Sequence, residues 1–190
     1  MPLSLDEVHD HIDTWVIDPR VETLGPATEL LATMAVGDAG RIDVLMVIAD
    51  HQALRGEVDR ALATLDQAAA DPGADRDLIE AMRVAYLIEG GRGDVAEPDL
   101  KALRRRGSAL PAEALERVAD ALEETGRLRE AMRWFTIGLR DLDPQHDLPE
   151  HDEEFALIGR WRVRQALGLP ADHYDDLARS TRERRRAGRR

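Results

Sequence analysis

Residues 115–144 read LERVADALEETGRLREAMRWFTIGLRDLDP. Leu115, Ala119 and Leu122 fall at the i, i+4 and i+7 positions of one helical face. Gly126 then stands where a helix ends, because the C′ position takes a left-handed backbone that a Cβ disfavours. Ala131 and Phe135 open a second helical face, four residues apart. Pro144 marks its far end. The stretch therefore predicts two helices folded back on one another. The small Ala131 sits where they approach closely, and Phe135 fills the gap to a neighbouring helix.

The same arrangement recurs twice upstream at a spacing of 35 residues. Gly56, Gly91 and Gly126 form one column; Ala61, Ala96 and Ala131 form a second. Leu65, Leu100 and Phe135 form a third, and Ala49, Val84 and Ala119 a fourth. One such hairpin cannot bury its own apolar face, whereas three stacked hairpins can. The first unit, LMVIADHQALRGEVDRALATLDQAAADP at 45–72, follows the pattern through Leu45, Ala49, Gly56, Ala61, Leu65, Ala68 and Pro72. The middle unit departs from it: Glu80 takes an early apolar position, and Pro98 falls in the second helix. That helix is expected to begin near Glu97, with Pro98 in its first turn, where a missing N–H costs little.

Helices also flank the units. Ser4 and Glu7 make an S-x-x-E capping box, Leu3 can staple to Val8, and Leu5, Val8, Ile12 and Trp15 form an apolar stripe ending before Pro19. A second helix is expected from Pro26 through Leu30, Leu31 and Met34 to Gly37, making 4–37 a degenerate hairpin. Downstream, a helix carries Phe155, Ile158, Trp161, Val163 and Leu167 to Gly168, and another follows Pro170 with His173, Tyr174 and Leu177. These two, within 150–178, read as caps of a stack. The expected architecture is all-α: an antiparallel stack of about ten helices over 1–178, coiling as a short right-handed superhelix. Residues 179–190 are expected to be a disordered Arg-rich tail.

The period lies close to the roughly 34 residues of a tetratricopeptide unit. Through the columns above, residues 42–144 resemble the tetratricopeptide repeat family. The phrases REAMRWFTIGLRDL and FALIGRWRVRQALGLPADHYDDLA are similar to actinobacterial proteins of that family, some of which carry a SEC-C zinc motif. That motif needs cysteines, and this chain has none, so no metal role comes with the likeness. The resemblance implies a protein–protein interaction module, an adaptor or scaffold, with a groove lined by the first helix of each hairpin. Carried over by column, the groove takes Asp43, Met46, Asp50 and Ala53, then Leu78, Ala81, Ala85 and Ile88, then Glu113, Glu116, Asp120 and Glu123. The family's carboxylate clamp uses Lys, Arg and Asn, and these positions carry acids and apolar residues instead. The implied partner is a basic or amphipathic segment, not an acidic peptide terminus.

Charge points the same way. The chain carries a formal net −12. Residues 179–190 hold seven Arg and one Glu, a local +6, which leaves −18 on the remainder. Such a body repels nucleic acid and anionic membrane and favours cationic partners. The alternative is an accessory factor that touches nucleic acid through the Arg-rich tail, although arginines without interleaved aromatics give little sequence-specific recognition. The absence of cysteine removes disulfides, thiolate metal sites and cysteine nucleophiles, and fits a reducing cytoplasm. The N-terminus has no basic region followed by an apolar stretch, and no run approaches a membrane span.

Catalytic patterns are not found. His9 and His11 flank Asp10 with Asp13 near, but residues two apart on a helix face different sides. His146, Asp147, His151 and Asp152 gather around a loop without a recognised metal spacing, and their acids suit the start of a helix. GGRG at 90–93 follows a helix and lacks the strand and Lys of a phosphate loop, so it reads as a turn. Glu123 and Glu124 are adjacent, a poor acid–base geometry. Trp134, Phe135 and Trp161 read as core. No enzyme activity, metal or cofactor is expected.

Overall fold

The computed structural model describes residues 3–17 and 23–188. The fold is all-α. Among the described residues there are ten helices and no strand: α1 (Leu5–Ile17), α2 (Leu24–Ala32), α3 (Arg41–Leu54), α4 (Val58–Ala70), α5 (Arg76–Glu89), α6 (Gly93–Arg106), α7 (Ala112–Glu124), α8 (Leu128–Ile137), α9 (His151–Ala166) and α10 (His173–Gly188). A 3-10 turn at Gly107–Ala109 leads from α6 toward α7.

The three turns of the repeat are built alike. Gly56, Gly91 and Gly126 have φ of 76°, 73° and 78°. Each glycine N–H donates to the carbonyl three residues back, on Ala53, Ile88 and Glu123, at 2.8, 3.0 and 2.9 Å. The following N–H reaches five residues back, to Gln52, Leu87 and Leu122, at 2.9, 2.7 and 2.8 Å. This is the Schellman closure, which satisfies carbonyls a helix end leaves orphaned. The next helix then starts identically: the N–H groups of Ala61, Ala96 and Ala131 donate to the carbonyls of Glu57, Arg92 and Arg127. The residues of the other three columns are all buried. Gly168 closes α9 with the same pair of bonds, to Gln165 and Arg164.

The chain divides into two compact units, Met1–Ile79 and Glu80–Arg190. The division falls inside α5, between Ile79 and Glu80, where no linker composition marks it. In the first unit α3 packs on both α2 and α4. Val8, Trp15, Ala27, Val44 and Ile48 make a core to which Leu3, Ile12, Leu24, Leu30, Leu31 and Met34 add. The capping box forms: the Ser4 N–H donates to Glu7 at 2.8 Å, and the Glu7 N–H donates to the Ser4 hydroxyl at 3.3 Å. A buried carboxylate ties the loop before α3 to the end of α4. Asp71, 5% exposed, accepts from the Gly37 N–H at 2.7 Å and pairs with the Arg41 guanidinium.

In the second unit α8 packs on α7 and α9, and α9 on α7 and α10. Here the α8–α9 contact is close enough to select glycine. A Cβ on Gly159 would lie 2.4 Å from the Phe135 ring, and one on Gly138 would lie 3.2 Å from the Ala156 Cβ. A side chain at either position would require its neighbour to shift. Trp134 and Phe135 are core, as their spacing predicts, whereas Trp161 is only half-buried.

Three expectations are corrected. α6 begins at Gly93, not near Glu97, so Pro98 lies inside the helix and Asp94 loses its intrahelical donor. The hydrogen-bonded turn at Gly91 fixes that start ahead of the proline. α2 begins at Leu24, with Pro26 still in the first turn, and ends at Ala32, well before Gly37. The Thr33 hydroxyl donates to the Leu30 carbonyl at 2.7 Å where the helix stops. Finally, the tail is not disordered from Arg179: α10 runs on to Gly188, with Ala178 and Thr181 buried. Pro19 and the last two arginines lie outside the described residues.

Substitution at two glycines separates backbone strain from collision. Nothing lies within 4 Å of a Cβ on Gly126, so Gly126→Ala should cost about 1–2 kcal/mol through its positive φ alone. Gly159→Ala should cost about 3 kcal/mol because the Phe135 ring must move. Asp71→Ala, which leaves the largely buried Arg41 guanidinium without its carboxylate, should also cost about 3 kcal/mol. Urea unfolding followed by circular dichroism measures all three.

Candidate functional site

The acids of α7 are assembled by helical geometry. Ala114, Leu115, Val118, Ala119, Ala121 and Leu122 are buried, which turns Glu113, Glu116, Asp120, Glu123 and Glu124 away from the core. Several of them, with residues of α9 and α10, line a pocket of about 720 Å³: Glu116, Asp120, Glu123, Phe155, Ile158 and Arg185 are its main walls. The pocket is thus acidic on the α7 side, while α9 brings Phe155 and Ile158 together with Arg162.

One cation enters it from α9. Arg162 donates through Nε and Nη2 to the two Glu123 carboxylate oxygens, both at 2.6 Å, and through Nη2 to Asp120 at 3.2 Å. A bidentate fork of this kind fixes direction as well as charge. Asp120 and Glu123 are therefore held within the chain, not simply displayed. Glu116 lies beside them, half-buried. Burial, reinforced by Asp120, Glu113 and Asp152 and opposed by Arg162, pushes its carboxyl up to about 7. Burial also raises Asp120 above the usual carboxylate range, with Arg162 pulling the other way.

A second ionic network anchors α10 beside this pocket. Arg160 and Arg164, one turn apart on α9, face the start of α10, while Arg162 between them faces α7. Arg160 donates to both Asp172 oxygens, at 3.1 and 2.7 Å, and its guanidinium lies 4.7 Å from the Tyr174 ring centre. Arg164 donates to Asp175 at 3.0 Å and to the Pro170 carbonyl at 2.5 Å. Asp172 and Asp175 cap each other's backbone N–H at the helix start. Although burial works against it, bonding from Arg160 and the Asp175 N–H keeps the Asp172 carboxyl below its usual range.

The remaining predicted groove residues divide by unit. On α3, Asp43 is half-exposed and bonds His9 of α1 at 3.1 Å, while Met46 and Asp50 are half-buried. Leu78, Ala81, Ala85 and Ile88 are buried, so they do not form an accessible lining; α5 is apolar around almost its whole circumference. Ala53 is half-buried on α3. The histidine groups do not converge. His11 stacks on Trp15, His146 pairs with Asp143 at 2.8 Å, and His151 sits edge-on to Phe155. Among the described residues, no three His, Asp or Glu side chains are placed to hold a metal ion. No described helix is long and apolar enough to cross a membrane.

Sequence reading missed Arg162, Arg160, Arg164 and Asp71. The alternation R-W-R-V-R at 160–164 is the one local hint, since it sends successive arginines to opposite sides of a helix. No family model matches the chain, and comparison with curated proteins and with solved structures finds no match.

Glu116 sets a pH dependence with a definite sign. With its carboxyl raised from 4.5 to about 7, the folded chain binds a proton more tightly than the unfolded chain across that window, so stability falls as pH rises through it. Glu116→Gln removes this dependence. The variant should exceed the wild type by about 1 kcal/mol at pH 8, less than the full shift implies because solvent screens the side chain, and should match it near pH 4.5. Urea midpoints at the two pH values measure the difference.

Proposed function

We propose that this chain is an interaction adaptor of tetratricopeptide type, which binds a basic or amphipathic protein segment on the acidic face of α7. The observation that carries the reading is the pocket beside α7. Arg162 bonds Asp120 and Glu123 within it, and Glu116 is held by burial and by like charges against ionisation. A ligand cation lowers that cost, and Phe155 and Ile158 offer an apolar wall for the other side of an amphipathic segment. Three hairpins closed by the same hydrogen bonds at the same spacing support the tetratricopeptide assignment.

The alternative, nucleic-acid binding through the Arg-rich end of α10, has less support. Arg179 pairs with Asp176, Arg182 stacks on Trp161, Arg184 bonds Thr181 and Arg185 pairs with Glu154. These four arginines therefore have partners within the chain.

The adaptor reading is tested with defined peptides. A basic amphipathic helical peptide should bind the wild type with micromolar affinity and show strong salt dependence, while its Glu-substituted counterpart should not bind. Changing Glu116 and Asp120 together to Lys should weaken the basic peptide by roughly a hundredfold, about 2.7 kcal/mol, with the helical circular dichroism unchanged. Equal affinity for wild type and variant would sink the reading.

A further inference from the structure

The two halves of α10 are held to α9 in different ways. The proximal half is anchored by the Arg160, Arg164, Asp172 and Asp175 network and by buried Ala178. Past Thr181 the sequence is RERRRA, residues 182–187, with no apolar side chain larger than Ala187. Hydrophobic burial therefore does not secure this half. Its attachments are the Arg182 guanidinium 4.6 Å from the Trp161 ring centre, the Arg185 guanidinium 5.4 Å from that of Phe155, and the Arg185–Glu154 ion pair. Such contacts are individually weak where solvent reaches them. A gap of about 210 Å³, bounded by Ile158, Arg182, Arg185 and Arg186, remains under this turn.

The distal half also lies at the acidic pocket. Arg185 forms one of its walls, in the company of Glu116, Asp120 and Glu123. The segment is thus a cationic helix, with arginines three residues apart on two aromatic rings, seated beside the acids of α7. That is the chemistry expected of the ligand, supplied by the chain itself.

We propose that residues 182–187 are a built-in competitor for the acidic pocket, and that an arginine-bearing helix of a partner protein binds by displacing them and stacking its own guanidinium groups on Trp161 and Phe155. The inference rests on the adaptor reading and names the partner's chemistry. Arginine is favoured over lysine because a planar guanidinium stacks on a ring and pairs with a carboxylate at once. Release requires no unfolding of the unit, since the proximal clamp and its buried residues stay in place.

The probe is a fluorescent synthetic peptide of residues 173–190, titrated by anisotropy against the full chain and its R182E/R185E variant. The released variant should bind roughly tenfold more tightly than the wild type, because its pocket is no longer shared. A peptide with every Arg changed to Lys should bind several-fold more weakly. Equal binding to both chains would overturn the competitor while leaving the adaptor reading intact, and binding to neither would overturn both. Hydrogen exchange on the unaltered chain gives a readout independent of the variant. Amides of 182–187 should exchange faster at saturating peptide while those of 173–178 hold their rate, and unchanged exchange at 182–187 would also overturn the displacement.

Discussion

Three helices must stop and reverse at one register, and glycine at positive φ is what lets them do so. At Gly56, Gly91 and Gly126 the backbone adopts nearly the same angle and makes the same two capping bonds. Everything that follows in each hairpin is measured from that point. The alanine five residues on is buried, and so is Leu65, Leu100 or Phe135 four residues further. The turn also decides a local conflict. Its bonds start α6 at Gly93 even though Pro98 then removes a rung from the helix ladder, so a tertiary register outweighs one lost hydrogen bond.

Charge arranges what packing leaves open. A body with so large an acidic excess is under self-repulsion, and the few arginines facing inward act against it at selected points. Arg41 meets Asp71, and Arg160 and Arg164 meet Asp172 and Asp175. Buried pairs of this sort add little net stability over apolar contacts, but losing one partner is costly. Their effect is to fix which helix end lies against which loop. At the α7 pocket the exposed Arg162 acts in the same way on Asp120 and Glu123, with the half-buried Glu116 beside them.

The fold was largely legible because its signals are local. The Gly126, Ala131 and Phe135 columns, the Ser4–Glu7 box and the closure at Gly168 all act within about one turn of helix. The site was legible in part. Helical spacing put Glu113, Glu116, Asp120 and Glu123 on one face, and they do share it. It did not reveal that Arg162, some forty residues on, already holds two of them, because nothing in a charge pattern tells which distant helix will pack there. The buried Leu78, Ala81, Ala85 and Ile88 escaped for a related reason: column matching assigns a face, while the apolar circumference of α5 decides its exposure. The arginines after Thr181 looked like a solvated tail because their partners, Trp161, Phe155 and Glu154, belong to another helix.

The meeting of Phe135 with Gly159 carries a consequence for how this sequence can drift. The ring occupies the space a methyl group on residue 159 would need. Neither position can enlarge alone, and a smaller residue at 135 would open a void that only a larger one at 159 could refill. The pair is therefore expected to change together or not at all, leaving a correlated trace across descendants of this chain, while the open glycine positions vary under a different rule, set by backbone angle alone.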